Sequence, residues 1–176
     1  NLNPEKGDTF TVGYGTKLND KTDINVSYFY SDLDDAIDWD YLAYPSEAKN
    51  IHKQKKNGME LSISHELNDN WNLEASYSYV RVRNDNNDGN GFVRDINYMP
   101  NTYRLGVRYH DEKWNANLTM RAANGADTRG KVDTYSGAYL QKYVDSSYIT
   151  VDMAVSYKAT NAWTVFAKGY NLLNRA

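Results

Sequence analysis

Apolar and polar residues alternate along most of this chain with a period of two. In a β-strand successive side chains point to opposite faces, so each alternating segment predicts a strand with one apolar and one polar face. The segments occur in neighbouring pairs joined by short polar turns, and no stretch shows an apolar stripe at helical spacing. The pattern therefore predicts an all-β fold of antiparallel hairpins at about 8–33, 57–83, 100–123 and 147–172.

The connections between the predicted strands alternate in length. The turn inside each hairpin is short, whereas the links between hairpins, at about 33–57, 84–100 and 123–147, are long and polar. Outer-membrane barrels have short periplasmic turns and longer loops outside the cell. The alternation favours an antiparallel transmembrane β-barrel segment of about eight strands.

Tryptophan and tyrosine occupy repeated positions in these hairpins. The chain has 16 Tyr and 4 Trp but only 4 Phe, and rings that carry a polar group favour the boundary between membrane and water. Each of three Trp follows a short turn on the apolar face, and two Tyr reach the same level. The sequence predicts that a membrane-interface girdle on the periplasmic side contains Trp71, Trp114, Trp163, Tyr109 and Tyr157. A second girdle is expected near the long loops, formed by Tyr28, Tyr30, Tyr77, Tyr79 and Tyr103.

The other face of the predicted strands is polar and charged. Charges of both signs on alternate residues suit a water-filled or plugged barrel interior, because a charge on the lipid face costs about 2–4 kcal/mol at the bilayer midplane. We expect the wall of this interior to include Glu60, Arg104, Arg108, Arg121, Asp152 and Lys168. A soluble sheet with one face in bulk water shows the same alternation, so a soluble β-sandwich binding module is an alternative.

Charge and residue spacing exclude several classes of function. The formal net charge of -3 provides no basic surface for nucleic acid, and no apolar run is long enough for a spanning helix. The three His, at His52, His65 and His110, are widely separated, and the acidic run from Asp32 to Asp40 is typical of a solvated loop. Because no catalytic constellation is readable, we predict no enzymatic activity, no resident metal and no cofactor.

Three stretches of the chain resemble motifs of one protein family. Residues 1–7, Asn-Leu-Asn-Pro-Glu-Lys-Gly, resemble the stretch that precedes a mid-barrel strand in TonB-dependent receptors. Residues 170–176, Tyr-Asn-Leu-Leu-Asn-Arg-Ala, resemble the end of the penultimate strand of those receptors, and the segment from Tyr148 to Tyr157 resembles a strand common in them. The three stretches follow the family's order and span nearly the whole chain.

The resemblance implies a barrel of the 22-stranded type that is filled by an N-terminal plug. This chain would supply about eight strands near the C-terminus of that barrel. The plug, the TonB box and the final strand would lie outside residues 1–176, so the rest of the barrel is expected on other residues or another chain. Eight strands could instead close on themselves, as in the smallest outer-membrane barrels.

The function that the resemblance implies is import across the cell outer membrane. Such a receptor captures a scarce nutrient, such as a ferric siderophore, heme or cobalamin, and the TonB complex moves the plug. The expected partners are outer-membrane lipid, the remaining barrel and plug, the TonB complex and a small metal-chelate ligand. The ligand-binding candidates are aromatic residues of the expected external loops: Trp39, Tyr41, Tyr44, Tyr98, Tyr135, Tyr139 and Tyr143. A small passive or structural outer-membrane barrel is the first alternative, and the soluble β-sandwich binding module is the second.

Overall fold

The computed structural model describes residues 2–40, 44–85, 89–95, 98–125 and 147–174. These residues form nine strands, which confirms the predicted all-β fold. The strands are β1 (Lys6–Asn19), β2 (Thr22–Asp40), β3 (Glu47–Glu66), β4 (Trp71–Asp85), β5 (Val93–Arg94), β6 (Asn101–His110), β7 (Trp114–Asn124), β8 (Tyr148–Lys158) and β9 (Thr164–Gly169). The described residues contain no helix long and apolar enough to cross a membrane.

All of these strands belong to one antiparallel sheet. Its order is β1-β2-β3-β4-β6-β7-β8-β9, and the two-residue β5 pairs with β4 beside this path. Within the described residues β1 and β9 are the two edges, so these residues form neither a closed eight-stranded barrel nor the two packed sheets of a β-sandwich. The sheet is a single wall, as expected for a piece of a larger barrel.

The strand register places most apolar residues of every main strand on one continuous face. In an antiparallel sheet, directly paired residues point to the same side. One such row crosses seven strands through Tyr14, Val26, Leu61, Tyr77, Tyr103, Ala122 and Ile149. We call this side the apolar face and the opposite side the polar face. The predicted alternation is therefore kept in register from one edge of the sheet to the other.

Some strand boundaries differ from the prediction. The expected link over 33–57 was wrong in its bounds, because β2 and β3 stay paired as far as Asp40 and Glu47. A register shift between Leu33 and Ala36 breaks the period of two at the place where the sequence suggested a loop. Within the expected link 84–100, β5 pairs with the end of β4, and β9 ends at Gly169 rather than at 172.

Very little of this sheet is buried. The buried apolar residues among those described are Ala36, Val82 and Ala123, and no large side chain is fully buried. Large side chains of the apolar face stay open, with Tyr14 67% and Phe10 61% exposed. A single-layer sheet with an exposed apolar face depends on surrounding material, because apolar area left in water contributes nothing to stability.

Candidate functional site

Three of the short turns share one hydrogen-bonded geometry that fixes a Trp at the start of the next strand. In each turn a side-chain oxygen accepts a hydrogen bond from the backbone N–H three residues later, and that residue is always Trp. The pairs are Asn68 with Trp71 at 3.0 Å, Asp111 with Trp114 at 2.6 Å, and Thr160 with Trp163 at 3.1 Å. Short polar side chains that bond the following backbone are a common means of closing a turn.

The middle turn is the most strongly polar of the three. The Asp111 carboxylate accepts hydrogen bonds from the Tyr109 hydroxyl and from the backbone N–H groups of Lys113 and Trp114. These donors stabilise the ionised form, so the hydrogen bond from Tyr109, followed by those from the backbone, lowers the pKa of Asp111 below its usual value. The ionised carboxylate therefore stabilises this turn.

The Trp side chains form part of an aromatic row on the apolar face, at the end of the strands where the short turns lie. The Trp71 and Tyr109 ring centroids lie 4.8 Å apart, and those of Trp114 and Tyr157 lie 4.5 Å apart. Trp163 precedes β9 and is 71% exposed. The structure thus brings the predicted girdle residues to the short-turn end of the strands. Their position at a membrane boundary stays a prediction.

A groove of about 340 Å³ lies on the apolar face, farther from the short turns than the aromatic row. The small side chains of Ala75 and Ala122 lie among the larger side chains that line it, and the Tyr77 and Tyr103 rings meet at its upper end with centroids 5.1 Å apart. The Tyr77 hydroxyl donates to Asn101 Oδ1 at 2.8 Å, so its hydrogen is already bonded within the sheet. The groove therefore presents hydrocarbon surface almost throughout.

The polar face carries a wider recess of about 590 Å³. Small residues, Gly13, Gly15, Ser27, Ser62, Ser76 and Ser78, line much of it. Three charged side chains, Glu60, Arg104 and Arg121, lie at its sides. The recess is thus a shallow polar surface with charge of both signs, and it contains three of the predicted wall residues.

Two of the predicted wall arginines are already paired on this face. Arg108 Nη2 donates to Glu74 Oε1 at 3.0 Å, and Arg121 forms an ion pair with Asp152. Arg104 lies directly opposite Arg121 in the register, and no carboxylate of the described residues pairs with it. Arg104 is therefore a wall cation that is available to a group outside this chain.

Sequence reasoning identified Asp152 but missed its second contact. Besides Arg121, the Asp152 carboxylate accepts a hydrogen bond from the Asn171 backbone N–H at 2.9 Å. Asn171 has a positive φ of 47°, and the next residue, Leu172, donates its N–H to the Val151 carbonyl at 2.8 Å. The segment after β9 is thus fixed against β8. The signal in the sequence was the Asn of the terminal motif, whose partner only the fold reveals.

The other predicted residues are more scattered. Lys168 lies on the polar face near the sheet edge, with its Nζ 5.9 Å from the Phe166 ring centroid. Of the ligand candidates, Trp39, Tyr44 and Tyr98 are exposed at the long-connection end of the sheet. The remaining candidates, Tyr41, Tyr135, Tyr139 and Tyr143, lie outside the described residues. Among the residues that the structure covers, no group of three or more His, Asp or Glu could hold a metal ion.

Comparison with known families gives a match over almost the entire chain. The model of the TonB dependent receptor-like β-barrel matches residues 1–172. The chain belongs to this family. A search of curated proteins finds no match.

Solved structures of transporters and a receptor share the fold at low sequence identity. "Copper transporter OprC" is 22% identical with a TM-score of 0.73, and the match covers 98% of this chain and 26% of that one. The FrpB iron transporter from Neisseria meningitidis is 17% identical with a TM-score of 0.72, covering 97% and 27%. The ferripyoverdine receptor of the outer membrane of Pseudomonas aeruginosa is 18% identical with a TM-score of 0.70, covering 98% and 24%. The chain thus spans about a quarter of the length of these proteins.

Proposed function

We propose that this member of the TonB-dependent receptor family is a wall segment of an outer-membrane importer for a small metal chelate. The exposed apolar face carries the proposal. A single-layer sheet that keeps rings such as Tyr14 and Phe10 more than half exposed is stable where lipid covers that face. A bilayer also requires every backbone group to be paired, which a closed barrel achieves. The remaining strands of such a barrel would pair with β1 and β9.

The aromatic rows support an upright position of this wall in the membrane. The turns with Trp71, Trp114 and Trp163 lie at one end of the strands. The Tyr77 and Tyr103 pair lies farther toward the other end, where the long connections are. Aromatic rings concentrate at the two interfaces of a bilayer. In this arrangement the capped turns lie on the periplasmic side and the long connections lie outside the cell.

The polar face would then line the interior of the barrel and contact the plug. The recess of about 590 Å³ is open and flanked by Glu60 and Arg104. Since no carboxylate of the described residues neutralises Arg104, an acidic side chain of the plug is a suitable partner. A desolvated guanidinium needs such a partner, because an unpaired buried charge is costly. Arg108, Arg121, Asp152 and Lys168 would complete this wall.

The external connections would capture the ligand. Amphipathic rings on connections carried by a rigid scaffold suit a flat or chelated ligand, because they give large contact area for little lost rotamer entropy. The proposed ligand-binding residues are the aromatic residues predicted from the sequence: Trp39, Tyr41, Tyr44, Tyr98, Tyr135, Tyr139 and Tyr143. The cargo classes we propose are a ferric siderophore, heme, cobalamin or another metal chelate, and the TonB complex would release the cargo by acting on the plug.

Charge reversal at Arg104 tests the function and the contact with the plug together. We expect Arg104→Glu in the full-length receptor to reduce uptake about tenfold or more, because a broken desolvated charge pair costs several kcal/mol. Uptake is measured with labelled ferric siderophores, heme, cobalamin and copper. Heat-modifiable migration on a detergent gel reports barrel assembly, which we expect to be unchanged.

A matched pair of variants gives the control. Arg108→Glu breaks the pair with Glu74 on the same wall, whereas the double exchange Arg108→Glu with Glu74→Arg restores a pair in reversed order. We expect the double exchange to recover any loss caused by the broken pair. Unchanged uptake of every cargo in Arg104→Glu would contradict the role of Arg104, and absence of heat-modifiable migration in the wild type would contradict the membrane barrel.

A further inference from the structure

Basic side chains cluster on the apolar face, next to its tyrosines and closer to the long connections. The strand β4 places Tyr77 and Tyr79 on this side, and the next two residues in phase are Arg81 and Arg83. Across the sheet, Lys55 and Arg94 pair directly with Arg83. The change from aromatic to cationic side chains therefore occurs within one or two residue pairs along the strand.

The lysines of this patch are neutralised by carboxylates of the same chain. Lys55 Nζ lies 3.5 Å from Asp32 Oδ2 and 4.4 Å from the Phe92 ring centroid. Lys53, the next basic residue along β3 on this side, lies 3.0 Å from Asp34 Oδ1. These contacts hold the lysines in place and remove most of their charge from the patch.

The arginines of the patch are less completely paired. Arg81 is exposed and has no ion pair within the described part of the chain. The Nε of Arg83 is buried without a hydrogen-bond partner. Arg94 Nη2 donates to the Gly125 carbonyl at 2.6 Å, which occupies one of its five N–H groups. Arg81 and Arg94 thus offer N–H donors on a surface where Asp32 and Asp34 are already paired with lysines. Arg83, which pairs directly with Arg94 in the register, adds positive charge beside them.

The apolar groove lies below this patch at a distance that fits one leaflet of a membrane. Ala75, which lies in the groove, is six residues from Arg81 on the same strand, or about 20 Å at the usual rise. The hydrocarbon core of a bilayer is about 30 Å thick, so that one leaflet spans about 15 Å. Barrel strands tilt by about 35–45°, which reduces about 20 Å along the strand to about 15 Å along the membrane normal. A phosphate at the arginines would therefore place acyl chains over Ala75 and Ala122.

The geometry points to a lipid site on the apolar face of β3 to β7, with arginines for the phosphate and the groove for an acyl chain. This inference rests on the proposed function, since it needs the apolar face to lie in a membrane. The occupant is a phosphorylated, multiply acylated glycolipid of the outer leaflet, with the chemistry of lipid A. Guanidinium groups bind phosphate oxygens in a bidentate manner, and the groove between Leu61 and Met120 accepts hydrocarbon. An acidic protein would match the charges but not the continuous apolar surface beneath them.

Retention of a defined lipid by the purified full-length receptor tests this site. Native mass spectrometry from detergent counts bound lipid A, the same lipid with its phosphates removed, and inorganic phosphate. We expect wild type to retain lipid A at least about tenfold better than the dephosphorylated lipid, because several cations near an anionic lipid each add to its binding. The double variant Arg81→Gln with Arg83→Gln should lose this preference, and Ala75→Leu, which fills the groove, should weaken retention of both lipids.

The matched control is Lys113→Gln, which removes a cation from a short turn at the other end of the strands. This variant should retain lipid A as wild type does. Equal retention of the two lipids by wild type, or unchanged retention by the double variant and by Ala75→Leu, would overturn the lipid site. Binding of inorganic phosphate without any gain from acyl chains would identify a free-anion site instead and would also overturn it. Heat-modifiable migration and cargo uptake are measured on the same variants and should be unchanged. If wild type lacks that migration, the proposed function itself fails, whereas a failure in lipid retention alone leaves it standing.

Discussion

At the scale of single residues, the polar face contains one position that only glycine fits. Gly58 is buried and pairs with Phe29 on one side and Val80 on the other. A Cβ added at Gly58 would lie 2.3 Å from the Tyr79 carbonyl oxygen and 2.8 Å from Phe29 Cε1. The absence of a side chain therefore lets the Phe29 ring cover the backbone of β3.

We expect Gly58→Ala to destabilise the folded receptor by about 1–3 kcal/mol, because overpacking displaces the ring and the neighbouring strand. Urea unfolding of the full-length protein in lipid vesicles measures this change. The matched control is Gly106→Ala, also on the polar face of a central strand, where the nearest atom, Glu74 Cβ, would lie 3.6 Å from the new Cβ. That variant should stay within about 0.5 kcal/mol of wild type, and an equal effect of the two substitutions would contradict the packing argument.

The period of two predicted the face of each charged residue but not its partner. Glu60, Arg104 and Arg121 all line the polar recess, because alternation alone decides to which side a strand residue points. Partners depend on how far neighbouring strands slide past each other. For that reason the ion pair of Arg108 with Glu74 and the position of Arg104 opposite Arg121 became visible only with the register.

At the scale of strands and turns, the capped turns set the height of the aromatic row. Three different side chains, Asn68, Asp111 and Thr160, place a Trp at the same step after the turn. The β1–β2 turn begins in a similar way, with the Lys21 N–H bonded to Asn19 Oδ1 at 2.9 Å, but Thr22 stands where the others have Trp. The sequence revealed the spacing of the Trp residues, and the hydrogen bonds explain it.

The Asp111 turn should weaken in acid. Because hydrogen bonds lower the pKa of Asp111 in the fold, the ionised carboxylate stabilises the folded state above the unfolded pKa of about 3.9. That contribution is lost as the pH falls through the lowered folded value. We therefore expect the thermal midpoint of wild type to fall more between pH 6 and pH 3 than that of Asp111→Asn, which keeps an oxygen acceptor but does not titrate.

Asp111→Ala completes the comparison for this turn. It removes the acceptor for Lys113 and Trp114, so its midpoint should lie below that of Asp111→Asn at both pH values. The midpoint is followed as the loss of β-structure by circular dichroism in detergent. An equal acid response of wild type and Asp111→Asn would show that other carboxylates, and not Asp111, control the response.

The strand ends were the least predictable part of the fold. Where both faces of a hairpin meet water, the side chains carry no alternation, although the backbone can continue its ladder. This occurs in β2 and β3 beyond the register shift, where Asp35 has a positive φ of 57° and its carbonyl accepts a hydrogen bond from Asn50 Nδ2 at 2.6 Å. An irregularity of this kind shifts the period of two, so the sequence pattern does not predict the rest of the strand.

At the scale of the whole molecule, the two faces of the sheet require different surroundings. The strands β1 and β9 also leave backbone groups unpaired at the edges of the described sheet, and such edges are not tolerated in lipid. Family membership agrees on this point, since the matching model is that of a β-barrel, an architecture in which closure leaves no strand edge unpaired. The sequence predicted the two faces because alternation in all main strands is a property of the entire sheet. The larger barrel was implied by the family resemblance, and the cargo depends on loop residues whose contacts no periodic pattern encodes.

The two faces should respond in opposite ways to the same charge. Leu105 lies in the middle of the apolar face, paired with Ala75 and Met120 and 49% exposed in the isolated sheet. If lipid covers this face, Leu105→Arg should destabilise the full-length barrel by about 2–4 kcal/mol in vesicles, because the guanidinium must enter hydrocarbon. The matched control is Ser78→Arg, which introduces the same side chain on the polar face directly opposite Glu60. That variant should unfold in urea within about 1 kcal/mol of wild type, since an exposed ion pair contributes little. The reverse order of the two effects would show that water covers the apolar face, and it would remove the physical basis for a membrane wall.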